Sequence, residues 1–370
     1  MKRAFTLVEL LVVIAIFVLL LAIAVPAFSS MLYSSEQSLA ENSLRIGISA
    51  ARDAAIRGAS GGDAAAVFFF DPVTGRTSIV PCVRAGSIKD EDPNSPVDPP
   101  PLVDREVFVP VAGFQPVQLP RGWSLRGYAG RGMIDGAWYE RTYVSTAARN
   151  RGNWLFPETG FYDEERGDDG YDRQTFMIRF EGGTGSLRTP DGVPVLVLAP
   201  SPSIAFRTGP VWNVPGLRAD TEPDGARFVR RVMARPATGA GALTILARRQ
   251  LLGEIASDTV LAKSVGQIAL YNEKRLANAL GVRLDPTTGS LYRDVGPSTG
   301  LPAEPTFVNL PTGNPLTDQY VVYINDWIEG HLVIGGNAID SDSRVFTVQR
   351  FLGTLQEMTG SAGGQGVGGT

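Results

Sequence analysis

Residues 5–28 read FTLVELLVVIAIFVLLLAIAVPAF, an apolar run with one carboxylate, Glu9, inside it. About 24 residues at a rise of ~1.5 Å give a helix of roughly 36 Å, enough to cross a hydrocarbon core of ~30 Å. The pattern then changes without breaking. Residues 29–57 contain no proline, and Leu44, Ile48, Ala51 and Ala55 recur at spacings of four, three and four, one face of a helix. Glu36, Glu41, Arg45, Arg52 and Asp53 fill its polar sides, and Gly58-Ala59-Ser60-Gly61-Gly62 supplies the stop. The pattern predicts one helix of roughly 50 residues that starts in lipid and ends packed on a soluble domain.

Beyond it the period shortens towards that of strands. Val67-Phe68-Phe69-Phe70, then Asp71-Pro72-Val73-Thr74-Gly75, then Thr77-Ser78-Ile79-Val80 predict a hairpin, with Pro and Gly at the turn positions that favour them. The same turn chemistry returns in Asp285-Pro286-Thr287-Thr288-Gly289 and predicts a second hairpin between residues 282–284 and 290–292; a five-residue match is too short to claim a duplicated domain. Further strands are expected at 175–180, 193–198, 319–324, 331–334 and 345–351, and a helix near 257–280 carrying Val260, Leu261, Val265 and Ile268. Residues 90–120 carry Pro93, Pro96, Pro99, Pro100, Pro101, Pro110, Pro116 and Pro120 and read as an extended loop.

The start of the chain resembles a known family. Lys2-Arg3-Ala4, then Phe5-Thr6-Leu7-Val8-Glu9 and a long apolar helix with Pro26, is similar to the leader and N-terminus of type IV prepilins and type II secretion pseudopilins. The resemblance implies cleavage between Ala4 and Phe5 by a prepilin peptidase, N-methylation at Phe5, and a Glu9 that neutralises the N-terminal amine of a neighbouring subunit. Pro26 stands where many members carry a helix-kinking proline. Ala4 occupies the position usually held by Gly, and it is the next smallest side chain. The stretch 50–58 also resembles the helix end of H-type minor pseudopilins. Residues 176–187 and 345–355, each with a Gly after an alternating strand, are loosely like the sheet of that subclass.

A carboxylate in hydrocarbon costs on the order of 2.5–3.5 kcal/mol and calls for a partner, which a plain anchor does not need. Lys2 and Arg3 hold the short N-terminal flank on the cytoplasmic side. A secretory signal cut near Ala24 or Ala27 is the bland alternative, but its apolar core normally spans ~7–15 residues and lacks a Glu.

The expected fold is α+β and pilin-like: a long N-terminal membrane-spanning helix packed on an antiparallel β-sheet domain with a large inserted region. Residues 1–4 form the leader, 5–28 the transmembrane and filament-core helix, and 29–58 its amphipathic continuation. A β-rich domain covers 63–359, with the Pro-rich loop at 90–120 and an insertion at about 200–300. Residues 360–370 form a Gly-rich tail.

Composition and isolated motifs limit the chemistry. A net charge of −4 does not advertise a nucleic-acid binder, and the single cysteine, Cys82, leaves no intrachain disulfide. Gly58-Ala59-Ser60-Gly61-Gly62 fits G-x-S-x-G, but a nucleophile elbow needs a strand before the Ser and a helix after it, the reverse of the expected order. His331, the sole histidine, has no evident nucleophile to serve, and Gly182-Gly183-Thr184-Gly185 lacks the Lys-Ser/Thr of a P-loop. No catalytic constellation emerges, so the expectation is a non-enzyme without an obligatory cofactor.

Asp163, Glu165, Asp168, Asp169 and Asp172 gather hard oxygen ligands for calcium without EF-hand spacing; a solvated acidic loop is the simpler reading. Arg227, Arg230, Arg231 and Arg235 are the candidate nucleic-acid contacts, against the simpler reading of an exposed basic face. The expected partners are prepilin peptidase, other pilin-like subunits and an inner-membrane assembly platform. A membrane-tethered module that binds DNA or an exported protein is the alternative.

Overall fold

The computed structural model describes residues 7–58, 62–71, 74–91, 101–111, 114–131, 133, 152–157, 174–199, 258–293, 306–307 and 316–358. Two compact units result, Met1–Asn42 and Ser43–Thr370. Helix α1 covers Leu7–Arg57, its first part in one unit and residues 43–57 in the other.

In the second unit the first sheet contains β1 (Ala64–Asp71), β2 (Arg76–Glu91), β3 (Leu102–Pro110) and β4 (Val117–Gln118). It is completed by β7 (Gln174–Phe180), β8 (Val195–Ala199) and β9 (Asp258–Ser264). The order is β1-β7-β9-β8-β3-β2-β4, and β1 also pairs with β2, so six strands close into a barrel with β4 appended. Closure pairs each of the six on both sides for part of its length, while the far ends of β2 and β3, residues 87–91 with 102–106, continue as a two-stranded hairpin. Alternate residues from every strand fill the interior: Ala65, Val67, Phe69, Val80, Cys82, Phe108, Met177, Val195, Val197, Val260 and Ala262. The antiparallel pairing expected from sequence holds for the other pairs of this sheet, but β3 runs parallel to β8 and β7 parallel to β9, so the barrel is mixed.

The second sheet has the order β16-β15-β10-β5-β6. Its strands are β5 (Trp123–Ala129), β6 (Asn153–Leu155), β10 (Gln267–Asn272), β15 (Arg344–Val348) and β16 (Leu355–Glu357). Helices α2 (Glu273–Leu280) and α3 (Leu316–Ile328) bury Leu276, Ile324, Trp327 and Ile328 in one cluster with Trp154, Phe156 and Tyr271. Short ladders β11 (Tyr292–Arg293) with β12 (Thr306–Phe307), and β13 (Val333–Ile334) with β14 (Asn337–Ala338), complete the described elements.

The sheets meet through aromatics. Phe68 of β1 stacks on Phe176 of β7 within the first sheet at 4.8 Å, Gly127 of β5 leaves room for the Phe176 ring, which a Cβ there would approach to 2.5 Å, and Phe70 lies 5.0 Å from Phe156, just after β6. Residues 43–57 of α1 pack by the face read from sequence. Leu44, Ala51 and Ala55 are fully buried, Ile48 nearly so, and Gly47 presses on Ile79.

Several expected elements change. The helix near 257–280 is two strands, β9 and β10, followed by the short α2. Both faces of β9 are buried, Val260 and Ala262 inside the barrel with Leu261 and Lys263 outside. Its continuous apolar run therefore lacks strand alternation. The expected strand at 319–324 belongs to helix α3. The second D-P-x-T-G segment makes its turn, with Gly289 N donating to Asp285 O at 2.8 Å, but its flanks do not form a ladder; β11 pairs with β12 instead. Within 90–120, β3 pairs with β2 over most of its length, so part of the presumed loop is packed sheet.

Candidate assembly helix

The stretch of α1 in the first unit is apolar and uncovered. Every described side chain from residue 7 to residue 28 is exposed, including Leu7, Phe17 and Phe28 at 80%, 63% and 63%. Burying one such Leu, Ile, Val or Phe is worth about 1.5–3 kcal/mol. A row of them is therefore stable only in lipid or against other apolar helices. The helix is long and apolar enough to cross a membrane.

Ser29 Oγ donates to Pro26 O at 2.9 Å, and Ser38 Oγ to Ser34 O at 2.9 Å, so these hydroxyls have acceptors on their own helix. Pro26 lies inside the helix, where it contributes no N–H to the ladder. Glu9 is helical in its backbone. The Glu9 side chain and the Ala4–Phe5 bond lie outside the described residues.

The remaining sequence candidates do not join this helix into a chemical site. The acidic residues Asp163, Glu165, Asp168, Asp169 and Asp172 lie outside the described residues, as do Arg227, Arg230, Arg231 and Arg235. Among the described residues no three or more His, Cys, Asp or Glu gather as a metal site. His331 is exposed, with Nδ1 3.8 Å from Glu329 Oε2. Around the G-x-S-x-G match α1 precedes and β1 follows, the reverse of a nucleophile elbow. The glycines at 182–185 shape a turn in which Glu181 N donates to Ser186 O, and Gly183 N caps the Ala55 carbonyl at the end of α1 at 3.0 Å.

Two buried charge clusters escaped the sequence reading. At one mouth of the barrel Arg179, 3% exposed, pairs with Asp63 and Glu106, both at 2.5 Å, while Arg188 reaches Asp63 at 2.7 Å and Arg84 reaches Glu106 at 2.7 Å. Burial pushes the Asp63 carboxyl up, but the Arg179 charge and hydrogen bonds from Arg179, Gly182 N and Arg188 outweigh it and hold the carboxyl below its usual range. The second cluster surrounds Glu273, which is 1% exposed at the start of α2. Neither shows a local motif, because the partners come from distant strands.

Residues 1–25 match the prokaryotic N-terminal methylation motif. The chain carries the type IV prepilin-like signature. No curated protein and no solved structure matches the chain. The prepilin-like signature and the uncovered apolar helix coincide, and the pair is consistent with a single-pass membrane anchor.

Proposed function

We propose that this chain is a minor pilin or pseudopilin, of the H-type or close to it. In this reading it is cut between Ala4 and Phe5, N-methylated at Phe5, and joins or primes a type II secretion pseudopilus or type IV pilus-like filament. The observation that carries the reading is the prepilin-like signature on a helix whose described apolar side chains at 7–28 are exposed. Cleavage leaves a positive amine on Phe5, and the Glu9 carboxylate of a neighbouring subunit neutralises it. Two charges that are each costly in lipid become tolerable as a pair and set the axial register. The soluble domain is carried to the far side of the cytoplasmic membrane. Partners are the prepilin peptidase, an assembly platform and other pilin-like subunits.

The test is the mass of the N-terminus after expression with and without prepilin peptidase. A peptidase-dependent chain starting at methylated Phe5 is expected. An intact Met1, or a cut near Ala24 or Ala27, overturns the reading. Glu9→Gln is expected to be processed normally yet to enter filaments at least ~10-fold less. Assembly at the parent level would remove the register role and leave the processing reading intact.

A further inference from the structure

The repeated D-P-x-T-G segments meet in space. Gly75, closing the first, and Gly289, closing the second, are both left-handed, with φ of 65° and 72°. A Cβ placed on Gly75 would stand 2.8 Å from Thr288 Cβ and 3.0 Å from Ser290 Cβ. The β1–β2 turn of the barrel is thus seated on the 285–291 turn, which follows α2 of the second sheet's helical layer. Arg121 donates to the Thr287 and Thr288 carbonyls, and Asp285 Oδ1 accepts from Thr287 N and Thr288 N at 2.7 and 2.9 Å.

Beneath this joint lies Glu273. Its backbone N donates to Gly122 O, and its Oε2 accepts from Leu291 N at 2.8 Å, tying α2 to both β5 and the turn. The Ser290 and Ser124 hydroxyls, each fully buried, face the same carboxyl. Among the described residues the charged or titratable groups turned towards it are Arg126 from β5 and Tyr271 from β10, both buried. Lys274 and Arg275 on α2 are exposed, Asp285 is occupied by its own turn, and Arg121 grips the turn's carbonyls. Such a carboxyl holds a proton more easily in place than it would in water.

We propose that this joint is a proton-sensitive clasp: with Glu273 protonated the 285–291 turn stays seated against Gly75, just before β2, and loss of the proton favours its release. The clasp is independent of the assembly reading, since every residue in it belongs to the second unit. Burial lifts the Glu273 carboxyl from its ordinary 4.5 to about 7, and hydrogen bonds from Ser290, Leu291 N and Ser124 with the Arg126 charge oppose that rise. An opened turn returns the carboxyl to water. Opening is therefore favoured as pH climbs from about 4.5 and levels above about 7.

The test is hydrogen exchange on the full chain in detergent between pH 5.5 and 8.5, corrected for the intrinsic pH dependence of exchange. For the Leu291 amide the opening constant is expected to rise roughly 30-fold across that range, and amides at 74–77 should follow. Glu273→Gln should flatten the profile to within ~2-fold, with the Val67 and Val197 amides of the barrel reporting that the variant is folded. Ser124→Ala removes a hydroxyl that favours the ionised form, so the levelling point should move to higher pH. A flat parent profile, or an equal slope in Glu273→Gln, overturns the proton control. A response at Leu291 without one at 74–77 overturns the clasp.

Discussion

The methylation motif at residues 1–25 was legible as sequence because its pattern is local: one carboxylate, Glu9, four positions into an apolar run that starts at Phe5, behind two basic residues. Asp63 shows the opposite case. Nothing near it in sequence announces that Arg179, 116 positions away, will donate to it through Nε at 2.8 Å while Phe108 lies under the same guanidinium. Asp63→Asn is expected to cost about 3 kcal/mol, since it takes a paired negative charge away from the buried Arg179 guanidinium, which keeps Glu106. Because the folded carboxyl is held below its usual value, its stabilisation is present above about pH 4 and is lost as pH falls through the folded value. Denaturant melts at pH 7 and pH 3 check this. A variant gap that does not narrow in acid would sink the account.

At the scale of elements, the 43–57 part of α1 was readable because its buried face is helical in period and the residues that cover it did not need naming. The same segment also guards a sheet edge, which no pattern displays. Arg45 Nη1 donates to Leu355 O at 3.1 Å on β16, one border of the five-stranded sheet. At the other border, Asn325 of α3 accepts from Trp154 N at 3.2 Å and donates to Asn153 Oδ1. Each border thus has one backbone group taken by a side chain from a helix, Leu355 O on β16 and Trp154 N on β6. Asn325→Ala should cost about 1–3 kcal/mol, because it removes the partner of the buried Trp154 N–H and of the Asn153 side-chain Oδ1. An unchanged thermal midpoint would count against this. The QYVVYI run at 319–324 reads as strand by its β-branched and aromatic content. It is helical because Ile324, Trp327 and Ile328, at spacings of three and one, fill a single face against Tyr271 and Leu276.

For the molecule as a whole, barrel closure joins pieces far apart in the chain: β9, from Asp258, is laid between β7 and β8. Cys82 records that closure, since it is fully buried among the interior residues and burial pushes its thiol well up. Its alkylation in the native protein should follow global unfolding, slowing as stability rises and quickening in Asp63→Asn. Labelling faster than exchange of the Val67 amide would show that the barrel opens locally. By itself the sequence determined the long helix, its apolar first half, the prepilin-like signature, the first hairpin and the α+β class. Each rests on a periodicity or motif confined to a few turns of chain. Only the tertiary structure decided the closed mixed barrel, the ion pairs at its mouth, the helical fate of residues 319–324 and the meeting of the two D-P-x-T-G turns. Those depend on which distant surfaces exclude water together, and burial on both faces erases the alternation that would have announced them.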